Sequence, residues 1–266
     1  MSAPVLSAPA IRELHELDEL EAVCALFCEI WGTPANNPPI NVEQMRALSH
    51  AGNYVAGAYA DGRLVGATVA FFGAPVARTM HSHITGALPG HAAGLALKLH
   101  QRDWALDHGL HRITWTYDPL IARNAHFNLA KLGGVIDAYL PNFYGAVDDA
   151  INAGTDTDRA MVGWDLAEPR VVAAARHVLI PVVVPPGAVA ALTDHDGRPV
   201  LGRTDAEDLL VGVPADIEKL RHTDPATARD WRLALREVLA GLLADGARVT
   251  GFHGRSRYVL TRRPAA

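Results

Sequence analysis

Hydrophobic positions recur along this chain with two periods, and the switches between them mark out its elements. Across residues 17–31, Leu20, Val23, Cys24, Phe27, Ile30 and Trp31 fall on one helical face with acidic residues between them, and Gly32-Thr33-Pro34 ends the pattern. Residues 35–41 read as a loop and 42–49 as a short helix. Two apolar runs, NYVAGAYA and RLVGATVAFFG, then flank Asp61-Gly62, a pair that favours a type I′ turn between antiparallel strands. Residues 79–88 predict another strand. A helix over 94–108 follows, with Leu95, Leu97, Leu99, Trp104 and Ala105 as its apolar positions and Gly109 at its end. HRITWTY (111–117) is a strand, and 121–132 is a helix closed by Gly133-Gly134.

Further on, VIDAYL and RAMVGWDL read as strands separated by the looser GAVDDAINAGTDTDR. Alanine and valine dominate 167–186, where the prolines of PVVVPPGAV mark an edge strand or a connector. DLLVGVP predicts a strand, 224–244 a helix, and GARVTGFH with SRYVLTRR a strand pair. Residues 1–9, small and proline-containing, read as a loose tail. The alternation of strands and helices predicts an α/β fold, divided into residues 1–168 and a C-terminal α+β lobe over 169–266.

A chain of 266 residues can bury a substantial core, and 49% hydrophobic with 20% charged residues is an ordinary globular balance. The net charge of −5 offers no electrostatic footprint for nucleic acid, and no basic helix points to a membrane surface. Cys24 and Cys28 stand four apart in one helix and read as buried apolar thiols rather than a disulfide framework. The first residues carry neither a basic segment nor an apolar run of signal-peptide type, and no stretch reaches 18 apolar residues without charge, so a cytoplasmic location is expected.

The run from His81 to Gly133 carries the chemistry. It reads as strand, glycine-containing turn, helix, strand and a second helix opened by Asp118-Pro119, with Asp118 fitting the N-cap position. That order sets backbone N–H groups at a helix N-terminus directly after a strand, where a pyrophosphate can sit. The loop is Pro89-Gly90-His91-Ala92-Ala93-Gly94-Leu95-Ala96, whose small residues let phosphate oxygens approach the backbone. His81 and His83 alternate along MHSHIT, so both imidazoles point to one face, and either could serve as a base. Arg123 and Lys131 could meet phosphate or carboxylate groups, though solvated helix positions suit them as well. Trp115 and Phe127 read as core, and the Gln101–Trp104 run as helix surface with a buried tryptophan. Thirteen histidines bring no HExxH and no Cys/His ligand spacing, so no metal is expected; no G-x-S-x-G elbow and no P-loop is present.

These segments resemble the coenzyme A-binding core of the GNAT acyltransferase superfamily, whose loop pattern Gln/Arg-x-x-Gly-x-Gly/Ala is matched by His91 to Ala96 with His91 in the first place. The phrase ITWTYDPLIARNAHFNLAKLGG, the tripeptide Phe143-Tyr144-Gly145 and the INAG run at 151–154 are similar to those of an uncharacterised GNAT-like family. The resemblance implies a mixed, mostly antiparallel sheet flanked by helices, and acetyl-CoA or another acyl-CoA as co-substrate. It further implies a strand bulge near Ile84-Thr85-Gly86 beside the thioester, with Asn124, Phe127 and Lys131 along the carrier. Its substrate would be a small amine or amino acid, and some relatives look like succinyl-CoA-dependent N-acyltransferases.

Direct transfer to an amine needs a base, an oxyanion donor and an acid for the departing sulfur. Where many members keep a tyrosine as that acid, this chain has Leu129; Tyr144, Tyr139 or Tyr117 are the candidates to replace it. Leu129 and His91 also motivate an alternative reading, an acyl-CoA-binding protein with little or no turnover, and a plain α/β protein without such a site is a third. A homodimer is one arrangement open to the C-terminal lobe.

Overall fold

A computed structural model describes residues 8–75, 78–145 and 156–263 of the chain; the INAG run at 151–154 and most of the N-terminal tail lie outside them. The chain forms two compact units, Met1–Thr114 and Trp115–Ala266.

The first unit is built on strands β1 (Ala10–Glu13), β2 (Val55–Ala60), β3 (Arg63–Gly73), β4 (Thr79–Ala87) and the start of β5 (Arg112–Tyr117), neighbours in that order. The first four pair antiparallel, while β5 runs parallel to β4, with Thr79, Met80 and His81 opposite Arg112, Ile113 and Thr114. A parallel pair needs a crossover, and helix α3 (Ala93–Asp107) supplies it. The β2–β3 turn has Asp61 at φ 50° and Gly62 at φ 76°, the left-handed pair of a type I′ hairpin.

Helices α1 (Leu17–Trp31) and α2 (Val42–His50) cover one face of the sheet. Glu19 fixes the start of α1 by accepting from the backbone N–H groups of His15 (3.0 Å) and Glu16 (3.1 Å), and Asn41 and Gln44 cap α2 reciprocally. Leu20, Val23, Leu26 and Phe27 of α1 bury against Val55, Ala67 and Val69, whereas Ala93 and Leu97 of α3 pack on Ala58 and Val65. At Gly86 a side chain is excluded by Trp31, whose ring would lie 2.6 Å from an added Cβ. Cys24 and Cys28 are free and only partly buried, rather than the fully buried pair expected.

The second unit opens with the end of β5 and helix α4 (Ala122–Ala125), which passes directly into a π-helical stretch, His126–Lys131. Strands β6 (Val135–Leu140) and β7 (Arg159–Asp165) pair antiparallel, and α5 (Pro169–Ala175) follows. The remaining strands are β8 (Val189–His195), β9 (Arg198–Leu201), β10 (Asp208–Gly212), β11 (Arg248–His253) and β12 (Arg257–Thr261). They form a separate sheet in the order β11-β12-β10-β8-β9, antiparallel except between β8 and β10. Helices α6 (Ile217–Thr223), α7 (Pro225–Leu235) and α8 (Gly241–Ala244) complete the unit. The helix expected over 224–244 is interrupted at Arg236–Ala240, where the chain again takes π-helical form. The architecture is thus α/β, with mostly antiparallel sheets flanked by helices and a second sheet toward the C-terminus.

Among the described residues, five elements escaped the sequence reading: β1, α5, α6 and the two strands of the β8–β9 hairpin. The hairpin had a signal, since Asp196-Gly197 repeats the φ > 0 pair of Asp61-Gly62 at 50° and 81°.

Candidate functional site

The sequence elements of the first unit converge at the end of β4 and the mouth of α3. The chain leaves β4 at Ala87, turns through Leu88–Ala92 with Gly90 at φ 87° and Ala92 at φ 51°, and enters α3. Ala92 is the N-cap, and no side chain caps the helix there, so the first-turn amides are not occupied by a capping oxygen. A Cβ built at Gly90 or Gly94 would meet nothing within 4 Å, so both positions border open space. Ala93 is buried, Pro89, Gly90 and Ala92 are exposed, and His91, Gly94, Leu95 and Ala96 lie between those extremes. An uncapped helix mouth with small residues around it suits the diphosphate of a nucleotide carrier.

Strand β4 carries a bulge one step ahead of the expected place. Ser82 faces Ala70 and Ile84 faces Val69, leaving His83 as the extra residue without a partner position on β3. His81 and His83 both lie against Phe71, with ring centroids 5.3 Å and 5.9 Å away. The His81 ring is half-buried, with Nδ1 3.0 Å from the Thr114 hydroxyl, and its pKa falls to about 4 because burial disfavours the imidazolium and His83 and Lys98 add like charge. His83 is more exposed, and its pKa is also lowered by desolvation. Thr85 is bound to Thr68 through its hydroxyl at 2.7 Å, and Gly86 sits under Trp31.

Lys98 and Gln101 escaped the sequence reading. Both are buried, at 4% and 0% exposure, so Gln101 belongs to the inward face of α3 and not to its surface. Positions 97, 98, 101, 104 and 105 form that face, and the signal was two polar residues inside an otherwise apolar stripe. Burial lowers the Lys98 pKa to about 7.

The other sequence candidates lie in the second unit. Asn124 and Phe127 are half-buried, which removes Phe127 from the core, and Lys131 is exposed at the end of the π-helical stretch. Arg123 pairs with Glu218. Trp115 is buried as expected and donates its indole N–H to Asn128 at 3.1 Å, while Leu129 is buried at 4%. Asp118 is not the N-cap of the following helix, a place held by Ile121. Its carboxylate instead accepts from Leu120 N–H and from two buried arginines, Arg221 and Arg232.

The three tyrosines now separate. Tyr117 bonds Tyr258, and Tyr139 donates to Asp158 at 2.6 Å; burial pushes both phenols well above their ordinary range. Tyr144 is 43% exposed, its hydroxyl 3.2 Å from that of Thr116 and its ring beneath the guanidinium of Arg159 at 5.2 Å. A cavity of about 260 Å³ in the same unit is lined by Leu129, Gly133, Arg170, Ile180 and Val182 among others; it contains none of the predicted site residues. Among the described residues no cluster of three potential metal ligands occurs, and no helix is long and apolar enough to cross a membrane.

No family model matches the sequence, and no curated protein matches it. The structure is similar to several solved ones. The ribosomal-protein-S18-alanine N-acetyltransferase from Escherichia coli is 13% identical, with 60% of this chain and 95% of that one covered at a TM-score of 0.48. An N-acetyltransferase from Staphylococcus aureus is 15% identical, with coverage of 60% and 99% and a TM-score of 0.48. An acetyltransferase of the GNAT family from Streptococcus pneumoniae is 17% identical, with coverage of 58% and 97% and a TM-score of 0.46.

Proposed function

We propose that this chain is a GNAT-type, acyl-CoA-dependent N-acyltransferase that moves an acetyl or other small acyl group, succinyl included, directly onto a small amine or amino acid. The observation that carries this reading is the uncapped mouth of α3 immediately beyond the bulged strand β4. The backbone amides of residues 93–95, which precede the first intrahelical bond from Ala96 to Ala92, would hold the diphosphate, and the positive end of the helix would favour its charge. At the bulge, a backbone N–H would meet the thioester carbonyl and strengthen its hydrogen bond as negative charge builds on oxygen.

The acceptor arrives as an ammonium and must give up a proton before its lone pair can attack. His83 suits that step better than His81, because it is more exposed and less constrained by neighbouring groups. The amine then forms the C–N bond as the C–S bond breaks, the CoA thiolate leaves with a proton supplied by an acid, for which Tyr144 is the candidate, and the second proton lost by the acylated nitrogen restores that acid. Residues 1–168 would make up the acyl-CoA-binding domain.

Calorimetric titration with CoA, acetyl-CoA and succinyl-CoA, followed by thiol release over a panel of amines and amino acids, tests the reading. Binding with release from one donor and a restricted set of acceptors is the expected result. Absence of binding to all three overturns it, and binding without release marks a carrier protein instead. Unchanged turnover in both His81→Ala and His83→Ala rejects the imidazole base.

A further inference from the structure

A chain of buried polar groups runs beneath β4 and joins the two sides of its bulge. Lys98 Nζ donates to Ser82 Oγ at 2.8 Å and to Gln101 Oε1 at 3.2 Å. Gln101 Nε2 donates in turn to Thr68 Oγ1 at 3.3 Å, and Thr68 shares a 2.7 Å hydrogen bond with Thr85. The orientation of the Gln101 amide follows from this order, since its oxygen must face the lysine and its NH₂ the threonine.

Ser82 and Thr85 are three residues apart. In a regular strand they would point to opposite faces. Here both reach the α3 side because His83 is inserted between them, so the polar chain can close only while the bulge is present. The groups involved are deeply buried: Ser82 is 3% exposed, Thr68 1%, Lys98 4% and Gln101 0%. A methionine would fill the Lys98 site without the desolvation cost of an amine, so packing alone does not account for lysine there.

We propose that Lys98 is a positioning residue that clamps β4 on both sides of the bulge, through Ser82 directly and through Gln101 and Thr68 to Thr85. The clamp holds the amides around His83 at a fixed height above the sheet. Its consequence for the thioester rests on the acyltransferase reading above; the rigidity of the bulge does not.

Two measurements on the full chain separate these levels. The first is amide hydrogen exchange, followed by NMR, in wild type, Lys98→Met, Thr68→Val and Thr68→Ser. The clamp predicts exchange at residues 83–85 at least about tenfold faster in Lys98→Met and Thr68→Val, with β2 unchanged and Thr68→Ser restored to wild-type behaviour. Unaltered exchange at 83–85 in a folded variant overturns the proposal. Should Lys98→Met fail to fold, Thr68→Val and Ser82→Ala each remove one hydroxyl from the same chain and decide the matter.

The second is the affinity for acetyl-CoA relative to CoA, since only the former has a carbonyl for the bulge amide. The ratio should fall in Lys98→Met and Thr68→Val, with affinity for CoA itself preserved and the ratio recovered in Thr68→Ser. An unchanged ratio removes Lys98 from any part in thioester positioning. A wild type that binds neither carrier refutes the acyltransferase reading instead, and hydrogen exchange then judges the clamp alone.

Discussion

Asp118 and Arg232 form a two-pronged ion pair, with Nη1 2.9 Å from Oδ1 and Nη2 2.7 Å from Oδ2, between residues 114 apart in the sequence. Arg221 adds a third contact to the same carboxylate, and all three side chains are buried. Burial alone would push the Asp118 carboxyl up; the two guanidinium groups outweigh it and hold the group well below the usual carboxylate range.

Asp118→Asn should therefore destabilise the chain by about 3–5 kcal/mol, because it removes the carboxylate that faces two buried guanidinium groups. A carboxyl whose pKa is lowered by folding contributes stability above the ordinary carboxylate range and loses it as pH falls towards the folded value. The gap between wild type and Asp118→Asn should accordingly narrow in strong acid. Urea denaturation of both proteins as a function of pH measures it.

His81 acts in a milder window. Its imidazole takes a proton near 6.5 when free and near 4 in the folded chain, so the unfolded state binds more protons between those values. Stability should decline as pH drops from 6.5 towards 4, and His81→Asn should flatten that part of the curve. A mutant whose acid limb keeps the wild-type slope would contradict the assignment.

For Lys98 the window is alkaline. The free amine titrates at 10.5 and the buried one at about 7. Between these values the unfolded chain holds the additional proton, so the contribution of Lys98 to stability should grow as pH rises from about 7 to 10.5. Replacement by methionine should remove this slope, whatever it does to stability at neutral pH, and thermal melts over that range provide the check.

Gly94 offers a test in which stability and binding move in opposite directions. A Cβ there meets nothing, and the residue lies in the first turn of α3. Gly94→Asp should stabilise the helix by about 0.3–1 kcal/mol through its dipole. The same carboxylate should weaken CoA binding by tenfold or more, corresponding to about 1.4 kcal/mol, because it competes with the diphosphate for the mouth. A raised melting point with unaltered CoA affinity would remove the loop from the carrier site.

The legible parts of the chain are those whose signals are local. Asp61-Gly62 specified a hairpin because the two positive φ values needed there are available to that pair at little cost. The stripe from Leu20 to Trp31 fixed α1, since one apolar face suffices to define an amphipathic helix. Asp118 shows the opposite case. Its neighbours in sequence suggest a cap, but its partners come from residues 221 and 232, and no local rule points to them. The bulge in β4 was anticipated near residues 84–86 and lies at His83, a displacement that only the pairing with β3 defines. Lys98 was legible in principle, as a polar residue where the α3 stripe demands an apolar one.

The π-helical turn from His126 to Lys131 has a bearing on every comparison that counts along this segment. A wider turn of this kind puts later side chains out of phase with the earlier ones, so one continuous rod presents different faces at its two ends. Residues matched by number across the insertion, Leu129 among them, need not occupy equivalent directions in a relative with regular winding. Excising a single residue there would rewind the rod, turning Asn128 away from the indole of Trp115 while leaving the sequence on both sides intact.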